Sequence, residues 1–309
     1  MIRYLRKRFV SNLLALFMII TITFFMMKLI PGDPFQQEKA LPKEILESLR
    51  EHYGLNDPLL KQYGRYLVSI VKWDLGPSFK YKARTVNDII KSGFPISAIL
   101  GLEALFLSLT VGVFLGSVAA LKQNRWQDYS AMLIAVIGIS VPSFILAAFL
   151  QYFLAIKIDL FPVARWGTFQ QSVLPALSLA ALPTAFIARL TRANMVEVLS
   201  QDYIKTARAK GISESFVIIK HGMRNALLPV VSYLGMLLAN IMTGSFVIEK
   251  VFGIPGLGQW FINSITNRDY TVIMGITVFY SLILLTAIFL VDVLYSWIDP
   301  RIKLTEKSV

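Results

Sequence analysis

The 309-residue sequence predicts an all-α polytopic membrane protein: six transmembrane helices, an external helical insert between the first two, and an amphipathic cytoplasmic loop between the fourth and fifth. Three observations carry this. Hydrophobic residues make up 55% of the chain and the mean hydropathy is +0.60, too apolar for a soluble domain. Apolar runs recur that can cross a hydrocarbon core of about 30 Å. The Lys and Arg of the short connections fall where a six-span count places the cytoplasm. The net charge of +12 therefore reads as loop asymmetry, with membrane lipid and not nucleic acid as the surrounding partner. The chain has no cysteine, which excludes disulfides and cysteine nucleophiles. His52 and His221 are far apart, so no metal site is expected.

The elements follow in order. Arg3, Arg6, Lys7 and Arg8 precede the apolar run Phe9–Ile30. The run exceeds a signal-peptide core and no small-x-small cleavage site follows, so residues 1–30 read as a cytoplasmic start and a retained first span. Pro31-Gly32-Asp33-Pro34 ends it. Residues 31–95 form the insert, with helices expected over Pro42–Tyr53 and Leu59–Trp73 and a short one over Thr85–Ser92. Ile96–Leu121 is the second span. Tyr129–Ile156 is the third, with Pro142 expected to kink it. Ser172–Leu190 is the fourth, weakened by Pro175 and Pro183 and marked at its inner end by Arg189 and Arg192. Leu227–Ile248 is the fifth, Glu249–Tyr270 an outer, re-entrant-looking loop, and Val272–Ile298 the sixth. The core is thus residues 96–298 and the cytoplasmic tail residues 299–309, with both termini inside.

The loop at residues 201–229 is a basic, helix-prone island between two apolar runs. Asp202 can cap a helix holding Tyr203, Ala207 and Lys210, and Gly211 stops it because glycine tolerates the left-handed conformation of a helix end. Ser213 opens a second helix, on which Ile212, Phe216, Ile219 and Met223 follow at helical spacing as one apolar stripe, with Lys220, His221 and Arg224 on other faces. Such a helix can lie on anionic lipid, pack on the protein's own spans, or dock into a groove on a soluble partner. Periodicity leaves all three open.

Catalytic chemistry is absent from the sequence. There is no GxxxxGK[ST] to cradle ATP phosphates, no HExxH and no GxSxG, so no catalytic residue is expected. Glu103, Asn240, Thr243 and Ser245 are polar residues inside spans, where they line a pathway or bond neighbouring helices. A self-sufficient secondary transporter is the alternative class. It would call for matched halves with paired broken helices, which this chain lacks, and it leaves the amphipathic loop without a role.

The loop resembles the EAA-type coupling loop of ABC importer permeases, with Ala207 and Gly211 on the motif's second Ala and its Gly. Lys205 and Thr206 stand where Glu and the first Ala would be, and Met223-Arg224 where Leu-Pro would be. The string TARAKG…RNALLP is the form of the oligopeptide/dipeptide branch. PGDP, GLNDP…QYGRYL, DLGPSF, SVPSF, LPALSLA, VFGIPGLGQ and VDVLYSWIDPRI extend the resemblance along the whole chain. It implies a type I importer permease, B-type subunit, moving oligopeptides, with nickel, glutathione, sugars or dipeptides as alternatives within the branch. It implies a second homologous permease, two ATP-binding subunits that hold the ATP and Mg, and an external peptide-binding protein. It also implies that Tyr203, Ala207, Gly211, Ile212, Ser213, Phe216, Ile219 and Arg224 couple the chain to the ATPases. This chain itself is then expected to carry no cofactor and to be no enzyme.

Overall fold

The computed structural model describes residues 2–30, 47, 51, 54–81 and 83–298. The expected helix Pro42–Tyr53, the turn after the first span and the tail lie essentially outside these residues. In chain order the helices are α1 (Ile2–Leu29), α2 (Leu59–Val71), α3 (Val86–Leu121), α4 (Trp126–Ser140), α5 (Ser143–Leu150), α6 (Phe169–Leu199) and α7 (Asp202–Ala209). Then comes α8, built from an α turn (Glu214–Phe216), a π-helical stretch (Val217–Met223) and a closing turn (Arg224–Ala226). After it follow α9 (Leu228–Gly244), α10 (Phe246–Phe252), α11 (Leu257–Asn267) and α12 (Tyr270–Ile298). Among the described residues there is no strand, only an isolated antiparallel bridge between Pro77 and Thr85.

The all-α, multi-span architecture is as the sequence predicts. Four helices, α1, α3, α6 and α12, are long and apolar enough to cross a membrane singly. The third span is broken: α4 and α5, with the π-helical Gln151–Lys157 that continues α5, meet at 106°. Pro142 causes the break. It has no N–H to donate, its ring forces Val141 into an extended conformation (φ −93°, ψ 120°), and its carbonyl restarts the helix by accepting from Ile145 and Leu146. Pro175 and Pro183 do not interrupt α6, which continues nine residues beyond the expected end at Leu190 to Leu199. Both are buried, where neighbouring helices shield the freed backbone groups. The expected short helix at Thr85–Ser92 and the second span merge into α3, with Pro95 inside it. The fifth span is shorter than expected. The 17 residues of α9 reach about 26 Å at 1.5 Å per residue before Ser245 ends the helix.

Two compact units divide the chain. One comprises Met1–Ile96 with Pro255–Thr286. In it Phe24, almost fully buried, packs against Tyr63 and Tyr66 of α2 at 5.3 and 5.5 Å between ring centroids, and Thr21 Oγ1 shares a 2.7 Å hydrogen bond with the Tyr63 hydroxyl. Asp269, fully buried before α12, accepts from the Ser78 hydroxyl, from the Phe79 N–H at 3.2 Å and from Thr271 Oγ1 at 3.0 Å. These bonds tie the segment after α2 to the start of α12.

The second unit comprises Ser97–Ile254 with Ala287–Val309. Its centre is α3 against α6. Gly112 and Gly116 allow the close approach: a Cβ on Gly112 would lie 2.9 Å from the Thr184 carbonyl oxygen, and one on Gly116 2.5 Å from that of Ala188. Ala104, Ala180, Ile187, Val230, Leu237 and Ile241 fill the space where α9 joins this pair.

Candidate functional site: the helical module between α6 and α9

The module α7–α8 contains every residue that the sequence singles out in the loop. Gln201, extended at φ −68° and ψ 151°, is the N-cap of α7, so Asp202 sits one place further in than expected, as the first helical residue. Its carboxylate favours the positive end of the helix and accepts from Lys205 Nζ at 2.9 Å. The other end of α7 is as predicted. Gly211 has φ +73°, its N–H reaches the Arg208 carbonyl at 2.9 Å, and the Ile212 N–H reaches that of Ala207 at 3.4 Å. This pair of bonds is the Schellman closure, which needs a residue in the left-handed region. No atom lies within 4 Å of a Cβ built on Gly211, so the constraint there is conformational and not steric.

Across the turn, Arg208 donates two hydrogen bonds to Glu214, Nε to Oε2 at 3.1 Å and Nη2 to Oε1 at 2.6 Å. The hydrogen bonds from Arg208 hold the Glu214 carboxyl below its ordinary pKa. Ser213 is the N-cap residue of α8 by backbone position, without a side-chain cap bond. Asn225 Nδ2 donates to the Tyr203 hydroxyl at 2.9 Å, closing α8 back onto α7.

The apolar stripe differs from the expectation. In the π-helical stretch the hydrogen bonds run i→i+5, so residues five apart share a face. Val217 and Gly222 therefore both turn inward and are buried. Val217 packs with Ile204 and Ala207 of α7, with Ile212 and Leu199 alongside, while Met223 and Ile218 pack against Met195 of α6, Ala120 of α3 and Ala226. Phe216 and Ile219 turn outward, 44% and 65% exposed. Lys220 Nζ lies 4.8 Å from the Phe216 ring centroid, and the His221 ring meets Phe216 edge-on at 6.0 Å. The residues named from sequence thus divide by task. Gly211 and Ser213 form the turn, Ala207 and Ile212 form the seat, and Tyr203, Phe216, Ile219 and Arg224 are exposed.

The intramembrane polar residues are placed differently. Ser245 is fully buried and donates to Glu249, itself fully buried, which also accepts from Ser97 Oγ of α3 at 2.7 Å. Glu249 is therefore the tie between α10 and α3, and Ser245, at the start of α10, supports it with a local hydrogen bond. Glu249, which sequence reading put in an outer loop, is a residue it missed. Glu103 is half-buried on α3, and one of its carboxylate oxygens is enclosed without a hydrogen-bond partner among the described residues. The side chains of Asn240 and Thr243 lie outside the described ones.

Comparison with known proteins decides between transporter classes. Residues 112–304 match the model described as "Binding-protein-dependent transport system inner membrane component", and residues 1–101 match that family's N-terminal membrane component. The chain belongs to this family. Its members are multi-pass inner-membrane permease components of ABC transporters, transport parts and not enzymes, so the secondary-transporter alternative is set aside. The chain is 51% identical over 308 residues to the dipeptide transport system permease protein DppB of Bacillus subtilis, covering 100% of both chains. It is 44% identical over 305 residues to the oligopeptide transport system permease protein OppB of Salmonella typhimurium, covering 98% of this chain and 100% of that one. Among solved structures, the methionine ABC transporter MetNI in an inward-facing form gives a TM-score of 0.59 at 18% identity, over 68% of this chain and 96% of that one. An amino acid ABC transporter determined with histidines gives 0.53 at 17% identity, over 74% and 96%. At these identities the structures speak to fold alone.

Proposed function

We propose that the chain is the membrane permease subunit of an ATP-driven peptide importer, and that α7–α8 is the surface through which separate ATP-hydrolysing subunits drive it. The observation that carries the coupling reading is the outward placement of Phe216 and Ile219 on a module whose own interior is already filled. An apolar pair exposed among Lys220, His221 and Arg224 fits a groove on a soluble partner. In this reading the module and both termini are cytoplasmic, and residues 31–95 lie outside. The complete importer has a second homologous permease, two ATP-binding subunits and an external peptide-binding protein. The peptide substrate rests on identity to the dipeptide and oligopeptide permeases, and Glu103, with Asn240 and Thr243, is assigned to the path.

Phe216→Asp tests the coupling surface, since it sets a charge where an apolar contact is needed. The reconstituted complex is assayed for ATP hydrolysis with and without binding protein and peptide, alongside a pull-down of the ATPase subunits. The expected result is loss of uptake and of peptide-stimulated hydrolysis, with the chain still in the membrane. Normal stimulated hydrolysis would mean that the patch faces lipid. Competition of peptide uptake by dipeptides and by nickel separates the substrate classes.

A further inference from the structure

We propose that Asp128 and Arg192 are positioning residues that make the third span move with the α7–α8 module, a role that rests on the coupling reading above. Asp128 lies in the first turn of α4 with its side chain 3% exposed. Arg192 of α6 donates to it twice, Nε to Oδ1 at 2.5 Å and Nη2 to Oδ2 at 2.7 Å. The backbone N–H of Asn124, in a left-handed turn at φ +60°, adds a third bond to Oδ2 at 3.0 Å. A planar guanidinium on a carboxylate fixes orientation as well as distance, and low exposure shields the pair from salt.

The position of the pair gives it leverage. On α6, Arg192 is three residues before Met195, which is fully buried in the cluster with Ala120, Ala226, Ile218 and Met223 of the module. Leu199, two turns on, lies under Gly222, whose added Cβ would come within 3.2 Å of it. At the level of Arg192, Gly116 brings α3 against the backbone of α6. Further along, Gly138 of α4 abuts Ala181 and Ala185 of α6, so α4 lies along α6 from the ion pair towards the bend at Pro142. The segment Arg192–Leu199 thus has the module on its next turns and α4 bonded to its first. A push on the module reaches α4 through this rigid segment, and the ion pair is the directional bond in that chain of contacts. Removing it leaves α4 held to α6 by non-directional packing, free to slip.

The test compares Asp128→Asn, Arg192→Met and the exchanged pair Asp128→Arg with Arg192→Asp in the assembled importer. Each single variant is expected to retain the ATPase subunits and their basal hydrolysis while peptide imported per ATP falls about tenfold. The exchanged pair should recover most of that loss. Because the chain has no cysteine, Asp128→Cys with Arg192→Cys can be joined by a short bifunctional thiol reagent, and transport per ATP should rise on joining. This cysteine comparison, made before and after joining in the same membranes, also decides the matter if a single variant lowers assembly. Single variants that import as much per ATP as the natural chain would overturn the proposal. So would a failure of both the exchange and the cross-link to restore coupling. Retained ATPase subunits distinguish this outcome from failure of the coupling surface itself, which Phe216→Asp reports separately.

Discussion

Gly211 is the residue on which the geometry of the module turns. Its φ of +73° is costly for any residue with a Cβ, by about 1 kcal/mol for an ordinary side chain and more for a β-branched one. The space around it is open, so asparagine, which enters the left-handed region most readily, should be tolerated there. Gly211→Asn is therefore expected to keep most of the peptide-stimulated ATP hydrolysis and Gly211→Val to lose it, both measured in the reconstituted complex at equal amounts of chain. Ser245 leads to the opposite kind of expectation. Its hydroxyl serves the buried Glu249, so Ser245→Ala removes one donor from a carboxylate without access to water. The expected effect is a loss of about 1–3 kcal/mol in stability, seen as a lower unfolding midpoint in detergent, with peptide selectivity unchanged. A shift in selectivity at unchanged stability would return Ser245 to the pathway.

At the scale of elements, the turn between α7 and α8 is held by backbone closure and by the Arg208–Glu214 pair. Both side chains of the pair are exposed, so it is the weaker device. Glu214→Gln is expected to lower stimulated hydrolysis by no more than about threefold, and added salt should reproduce the effect in the natural chain. The sign of the pH dependence follows from the Glu214 carboxyl, which Arg208 holds below its ordinary value of 4.5. A depressed carboxyl contributes stability above its unfolded pKa and loses it as pH falls through the folded one. The clasp is therefore indifferent to pH between 6 and 8 and weakens only as pH falls below the ordinary 4.5 through the lowered folded value. Stimulated hydrolysis that changes between pH 6 and 8 in the natural chain but not in Glu214→Gln would contradict this.

For the whole molecule, the six-span reading and the proposed orientation make one joint prediction. The chain has no cysteine, so a thiol at Ser48 or at Ser213 is unique in it. An impermeant reagent added to intact cells is expected to label Ser48→Cys and to label Ser213→Cys only after permeabilisation. Labelling of both from outside would put the module on the wrong side for ATPase subunits. Four helices are long and apolar enough to cross singly and the bent α4–α5 pair, taken as one span, supplies a fifth, so the six-span count also requires the 17-residue α9 to cross, and the labelling tests it.

Composition, hydropathy and loop charge by themselves determined the class of protein, its long apolar helices and where along the chain the module lies. Each is a one-dimensional quantity set by transfer of side chains and backbone from water to hydrocarbon. Local stereochemistry was partly legible: Gly211 was expected to end a helix and Pro142 to kink one, and the chain does both. What depended on neighbours was not legible. Pro175 and Pro183 were expected to weaken the fourth span, yet α6 runs continuously through both, and both are buried. The stripe Ile212, Phe216, Ile219, Met223 assumed a period of 3.6, and only packing of Val217 and Gly222 against α7 and α6 selects the π-helical register that turns Phe216 and Ile219 outward. The Asp128–Arg192 and Ser97–Ser245–Glu249 contacts join residues 64 and 152 positions apart. No periodicity in the chain encodes such separations, and only tertiary structure, by excluding water from these groups, decided which polar side chains had to meet.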